Sequence, residues 1–215
     1  YTISADQHLN AAYYRNTAIH YFILDAFVEV ALLDAASESG DLTEAFFVRT
    51  SELRELFKFE FYFPRKADYQ FEIKKRVGDR FADWEDKARR SDTGGHAVLG
   101  GVQPLIAHGV LRSFVDAYRI VASVLAAAGA DSIDDEGSFL SQCLKTGNQQ
   151  LSQGRVFSAE SISKSLYATG LKLADYRGLL AANQEGARHD FHQEFRRISS
   201  RLDEILSIAL TKAND

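Results

Sequence analysis

Apolar residues return every three or four positions through most of this chain, a period that fits amphipathic helices and not strands. The run near the C-terminal end is the clearest, with Phe191, Phe195, Ile198, Leu202, Ile205 and Ala209 in 4-3-4-3-4 spacing. A second broad stripe runs through Leu9, Ala12, Ile19, Ile23, Ala26, Val30 and Leu33 and stops before Gly40. Ser4-Ala5-Asp6-Gln7 opens it as a capping box, in which the serine and glutamine side chains satisfy amides that the helix leaves free. Asp41-Leu42-Thr43-Glu44 repeats that signal and opens a helix through Phe46, Leu53, Leu56 and Phe57.

Phe57 to Phe63 alternates strictly, which taken alone is a strand pattern. Leu53, Phe57 and Phe61 nevertheless keep the i, i+4 step, and no turn residue intervenes before Pro64, so the helix is expected to continue. Asp68 is the expected N-cap of a third helix carrying Ile73, Val77, Phe81 and Trp84. Four of the thirteen residues from Arg89 to Gly101 are glycine, which predicts a loop or short hairpin and the most mobile segment. Pro104 suits the first turn of a long helix with Leu111, Phe114, Tyr118, Val121 and Leu125 on one face. Two more helices are expected, from Asp135 to Leu151 and from a Ser158 cap to the neighbourhood of Leu180. The expectation is an all-α, multi-helix, bundle-like domain of about seven helices, with a Gly-rich loop near residues 89–101.

The 215 residues are 46% hydrophobic and 26% charged, which supports a core without staples and argues against disorder. One cysteine, Cys143, excludes an intramolecular disulfide framework and a Cys-rich zinc site, and points to a reducing compartment. A net charge of -5 makes nucleic acid an unsuitable partner. No apolar run reaches the ~20 residues of a spanning helix. Methionine is absent and the chain opens Tyr1-Thr2-Ile3-Ser4 without a signal-peptide pattern, so it is expected to be a segment of something longer.

Charge is uneven. Residues 1–53 hold two basic and eight acidic side chains, whereas residues 54–90 hold eleven basic and eight acidic. Arg65, Lys66, Lys74, Lys75, Arg76 and Arg80 therefore form either a solvated helix face or a surface for anionic lipid or an acidic partner.

Several constellations could carry chemistry. His20 and Asp25 have the spacing of an acyltransferase His–Asp dyad, but positions five apart on a helix lie about 140° from each other. In mid-helix they would not meet. His189, His192 and Glu194 look metal-like but lack a second cluster, and a polar helix start beside Phe191 explains the same letters. Gly94-Gly95 and Gly100-Gly101 lack the strand and the lysine of a phosphate loop. Tyr13, Asn16 and His20 fall at i, i+3 and i+7 on an otherwise apolar helix. That polar edge needs partners, either in a neighbouring element or in a ligand.

Tyr13-Tyr14-Arg15-Asn16 followed by His20 resembles the block found downstream of the catalytic domain in glycerol-3-phosphate acyltransferases of the bacterial and mitochondrial type. Dihydroxyacetone-phosphate acyltransferases are close relatives. The likeness continues in order through the Leu53–Pro64 aromatic run, Phe114-Val115-Asp116-Ala117-Tyr118, Ser158-Ala159-Glu160-Ser161 and Arg177-Gly178-Leu179-Leu180.

The resemblance implies the C-terminal helical domain, over residues 1–215, of an enzyme whose catalytic αβ domain lies upstream in the same chain. Such enzymes pass a fatty acyl group from acyl-coenzyme A or acyl carrier protein to glycerol 3-phosphate, peripherally, at the cytoplasmic face of the membrane, with no cofactor or metal. None of the catalytic motifs falls in this segment. Tyr13, Tyr14, Arg15, Asn16 and His20 match the family's block, and the expectation is that they brace the helices against the catalytic domain or lie near substrate. Residues 54–90 are the expected membrane surface. A free-standing helical interaction domain binding through Phe57–Phe63 is the alternative, and a DNA-binding helical regulator a third that the acidic charge disfavours.

Overall fold

The computed structural model describes residues 18–37, 41–89, 94–102 and 104–213, and these divide between two compact units, Tyr1–Leu111 with Arg201–Asp215, and Arg112–Ser200. Among the described residues there are nine α-helices and no strand. The architecture is all-α, as the periodicity requires, with more and shorter helices than the expected seven.

The first unit is built around α1 (Ile23–Ala36), in which every residue from Ala26 to Ala35 is buried. A helix that is apolar on all sides must be enclosed, and α2 (Leu42–Leu56), α3 (Lys66–Arg80) and α5 (Gly94–Gly100) pack against it. Asp41 caps α2 as expected, its carboxylate accepting the Thr43 and Glu44 amides at 2.8 and 3.0 Å.

The helix does not continue through the aromatic run. It stops at Leu56, and a single turn follows in which Glu60 and Phe61 both donate to the Phe57 carbonyl. The reason lies in the core. Phe57 and Phe63 both pack on Phe27, with ring centroids 5.8 and 5.7 Å away. Six residues apart on a helix they would diverge by about 120°, so only a turn brings both rings to one place.

Three more expectations are corrected here. The N-cap of α3 is Arg65, and Asp68 sits inside the first turn, where a negative charge suits the helix dipole. That helix ends at Phe81. Asp83 then adopts a left-handed backbone (φ 55°), and Trp84 belongs to α4 (Trp84–Arg89). Within the segment predicted as a Gly-rich loop, Gly94–Gly100 is helical, with Gly94, Gly95, Val98 and Leu99 buried. The glycines serve close approach: a Cβ on Gly94 would collide with the Ala88 carbonyl, and one on Gly95 would lie 3.1 Å from the Leu32 oxygen and Leu33 Cα.

Pro104 precedes α6 (Ala107–Ala127) instead of occupying its first turn. The second unit holds most of α6, then α7 (Glu136–Ser152), α8 (Lys164–Tyr176) and the first part of α9 (Glu185–Ala213). Asp135 caps α7 through the Ser138 amide at 3.1 Å. Ser158 caps a separate 3-10 turn, Ala159–Ser161, so the helix expected from Ser158 to Leu180 is this turn plus α8. Phe191 and Phe195 of α9 are buried, and Phe195 meets Tyr118 of α6 edge to face at 5.5 Å.

Arg188, fully buried, organises the loops of this unit. Its Nε donates to the Leu179 carbonyl at 2.8 Å, Nη1 to Gly129 at 2.7 Å and Nη2 to Ala181 at 3.0 Å. These acceptors follow the C-terminal ends of α6 and α8, where carbonyl dipoles converge and a cation is favoured. Arg188→Leu strands all three acceptors, so unfolding free energy should fall by at least about 3 kcal/mol, read from urea denaturation followed by far-UV circular dichroism. A loss under 1 kcal/mol would contradict this account.

Candidate functional site

Tyr13, Tyr14, Arg15 and Asn16 lie outside the described residues. His20 sits on a 3-10 turn, Ile19–Tyr21, is exposed, and packs against the Tyr21 ring at 4.0 Å. The stripe that reads as one continuous helix is therefore broken at Phe22, whose amide turns back to the Ile19 carbonyl. His20 is not in mid-helix, so the 140° argument does not apply to it. Asp25 instead lies in the first turn of α1 and pairs with Arg76 Nη1 at 2.9 Å.

That pair is one rung of a charge ladder. Four residues on, Glu29 meets Arg80 Nη1 at 2.9 Å, so α1 and α3 match acid to base with the same i, i+4 step. Glu29 is wholly buried, and its carboxylate also accepts the Ile106 amide at 2.9 Å and the Ala107 amide at 2.6 Å, the first donors of α6. Arg80 adds a bond to the Pro104 carbonyl at 2.9 Å. Burial pushes the Glu29 carboxyl up from near 4.5 to about 7, against the opposing pull of the Ala107 amide and the Arg80 charge. Asp34, the third acid of α1, receives Arg201 Nε at 2.8 Å, while Nη1 of Arg201 grips both Glu204 oxygens and Nη2 reaches Ser37. A cavity of about 150 Å³ beside this cluster is lined by Ser37, Gly94, Gly95, His96, Arg201 and Glu204.

In the second unit two of the blocks that carry the family resemblance, those around Asp116 and Ser158, are joined. Asp116 is buried and accepts the amide of Phe157, the residue before Ser158, at 3.0 Å. Burial raises its carboxyl despite that bond and the nearby Arg119 and Arg112 charges. Arg177 pairs with Glu194 at 2.6 Å, and the carbonyl of Leu179 is one of the Arg188 acceptors. His189 contacts Gln193 at 3.2 Å. Among the described residues no group of three His, Cys, Asp or Glu is placed to hold a metal ion. Burial pushes the Cys143 thiol up to about 12, far from a reactive thiolate. An open groove of about 450 Å³ is lined by Ile133, Glu136, Leu171, Lys172, Asp175 and Leu180.

Sequence reasoning passed over Glu29, Asp116 and Arg188. The available signal was an acid in mid-helix among apolar neighbours, matched by basic residues four apart in the next positive segment. The middle third divides accordingly. Arg76 and Arg80 face α1, and Arg54 lies over the Tyr69 ring at 5.5 Å. Arg65, Lys66, Lys74 and Lys75 stay exposed, as do Tyr62 and Phe71. No helix among the described residues is long and apolar enough to cross a membrane.

Comparison with known proteins gives a consistent result. The family described as "Glycerol-3-phosphate acyltransferase C-terminal region" matches residues 1–183. "Putative acyltransferase plsB1" of Mycobacterium bovis is 40% identical over 217 aligned residues, covering 96% of this chain. The protein of the same description in Mycobacterium tuberculosis matches equally. The chain spans 34% of the length of these relatives. No solved structure matches.

The environment of Glu29 sets a pH dependence. With its carboxyl raised from near 4.5 to about 7, the folded chain holds a proton that the unfolded chain has released between those values. Its contribution to stability is full below the lower value and is lost as pH rises through the higher. The urea midpoint should therefore fall from about pH 5 to about pH 8 more steeply in the wild type than in Glu29→Gln, whose amide does not titrate. Parallel profiles for the two proteins would refute this.

Proposed function

This chain belongs to the C-terminal region family of glycerol-3-phosphate acyltransferases, and we propose that it is the non-catalytic helical domain that scaffolds the catalytic domain of such an enzyme. In the whole protein, an αβ domain upstream transfers a fatty acyl group from acyl-coenzyme A or acyl carrier protein to glycerol 3-phosphate in phospholipid synthesis. The observation that carries the scaffold role is the use of buried charge. Glu29, Asp34, Asp116 and Arg188 are all committed to helix ends, loop amides and carbonyls, or each other's helices, which is the work of a frame.

Tyr13, Tyr14, Arg15, Asn16 and His20 are the bracing edge toward the catalytic domain. In support, Tyr21 and Phe22 beside His20 expose apolar rings, 65% and 46% accessible, of a size that another domain could cover. The interaction-module alternative has less surface to work with, because Phe57 is wholly buried and Phe63 packs between Phe27 and Tyr69, which leaves Tyr62 as the exposed ring of that run. Peripheral attachment at a membrane face is supported by exposed Arg65, Lys66, Lys74 and Lys75, the last two three and four residues after exposed Phe71 on α3, each cation adding ~1 kcal/mol near anionic lipid.

In the full enzyme, Arg15→Ala should lower the melting temperature or specific activity while the pH–rate profile keeps its shape. Unchanged melting and activity would refute the brace. The 215-residue chain alone should show no acyl transfer from acyl-coenzyme A, and any turnover it catalysed would overturn the non-catalytic assignment. It should pellet with phosphatidylserine vesicles but not with phosphatidylcholine vesicles, and Lys74→Glu with Lys75→Glu should weaken pelleting about tenfold or more. Equal pelleting of wild type and double variant would remove the membrane surface.

A further inference from the structure

The groove of about 450 Å³ in the second unit has walls that the fold itself fixes. One wall is a single face of α8, where Ala168, Leu171, Lys172 and Asp175 fall at i, i+3, i+4 and i+7. The other is the chain entering α7, with Ile133, Asp134 and Glu136. Leu180, beyond the end of α8, joins the two walls, its carbonyl accepting the Ile133 amide at 2.9 Å. The Asn183 amide repeats this link to Ala130 at 2.9 Å. Buried Arg188 holds the carbonyls on either side of Leu180, those of Leu179 and Ala181, together with that of Gly129. A site held in this way pays little ordering cost when something binds.

The lining divides by chemistry. Leu171 is buried and Ile133, Ala168 and Leu180 are half-buried, which makes an apolar floor. Asp134, Glu136 and Asp175 are exposed carboxylates on the same groove, with Lys172 as its single cation. Among the described residues neither Glu136 nor Asp175 has an ion-pair partner. Asp175 also stands in the last turn of α8, which holds no basic residue, so its charge opposes the helix dipole. A cation seated beside it relieves that opposition.

The floor selects an occupant with apolar side chains on one face, and the acidic rim selects cations flanking them. A fatty acid satisfies the floor alone and brings its own carboxylate to three others. A helix with an apolar stripe between lysines or arginines satisfies both. We propose that this groove docks a basic amphipathic helix of a partner protein, its apolar stripe on Ile133, Leu171 and Leu180 and its cations toward Glu136 and Asp175. This does not depend on the acyltransferase reading, since it concerns a surface of the second unit itself.

The test is fluorescence anisotropy of a labelled leucine–lysine peptide, titrated with the 215-residue chain. The peptide has about 14 residues, ~21 Å as a helix, with its leucines at i, i+3, i+4 and i+7. Binding should saturate. Asp175→Lys should weaken it about tenfold without lowering the melting temperature, because a lysine suits that helix end. Ala168→Trp, which fills the floor, should weaken it as much. Asp79→Lys, the same change of charge at an exposed site in the first unit, should leave it unchanged. That pattern supports the proposal. Absent binding, unchanged binding by either groove variant, or equal weakening by Asp79→Lys overturns it. So does equal binding of a peptide with its leucines scattered or with glutamate for lysine. A groove that takes laurate in place of the peptide, or a chain that dimerises through this face, overturns it as well.

Discussion

A carboxylate shut away from water needs donors on every side, and the way Glu29 finds them shapes the first unit. Burying such a charge costs several kcal/mol, and its partners offset that only when their geometry is good. Here α3 supplies Arg80, and the chain entering α6 supplies two amides that the helix leaves free. One side chain thus fixes three elements: the helix it belongs to, the partner beside it and the start of another. With Asp25 on Arg76 one turn earlier, the two rungs admit a single register between α1 and α3.

The second unit uses the same logic with the sign reversed. Arg188 is a buried cation that donates to three backbone carbonyls in the loops that follow two helices. Asp116 holds the loop before Ser158 through a single amide. In both units buried charge is joined to backbone, where it defines how the chain turns. Family membership and this pattern are what the proposed supporting role rests on.

Local signals in the sequence were read well wherever neighbours a few residues apart settle the outcome. The cap at Asp41, the start of α7 at Asp135, the stripe of α9 and the all-helical class are of this kind. Misreadings occur where a distant residue decides. Phe57 and Phe63 leave the helical path because both are drawn to Phe27. Gly94 and Gly95 suggest a loop by composition, yet they form a helix because only glycine tolerates the approach of Ala88 and Leu33. His20 kept its motif in the text but lost its helical setting at Phe22.

The amino-acid order by itself determined the helical class, the Asp41 cap and the family, since these rest on periodicity and on short blocks that survive without coordinates. The tertiary structure alone decided which charges are buried, which acid meets which base, and which glycines pack closely. Those outcomes depend on atoms brought together from positions as far apart as Glu29 and Ala107 or Asp34 and Arg201. Burial acts on charge through whatever surrounds it in space, and a linear pattern holds no record of that surrounding until the chain has folded.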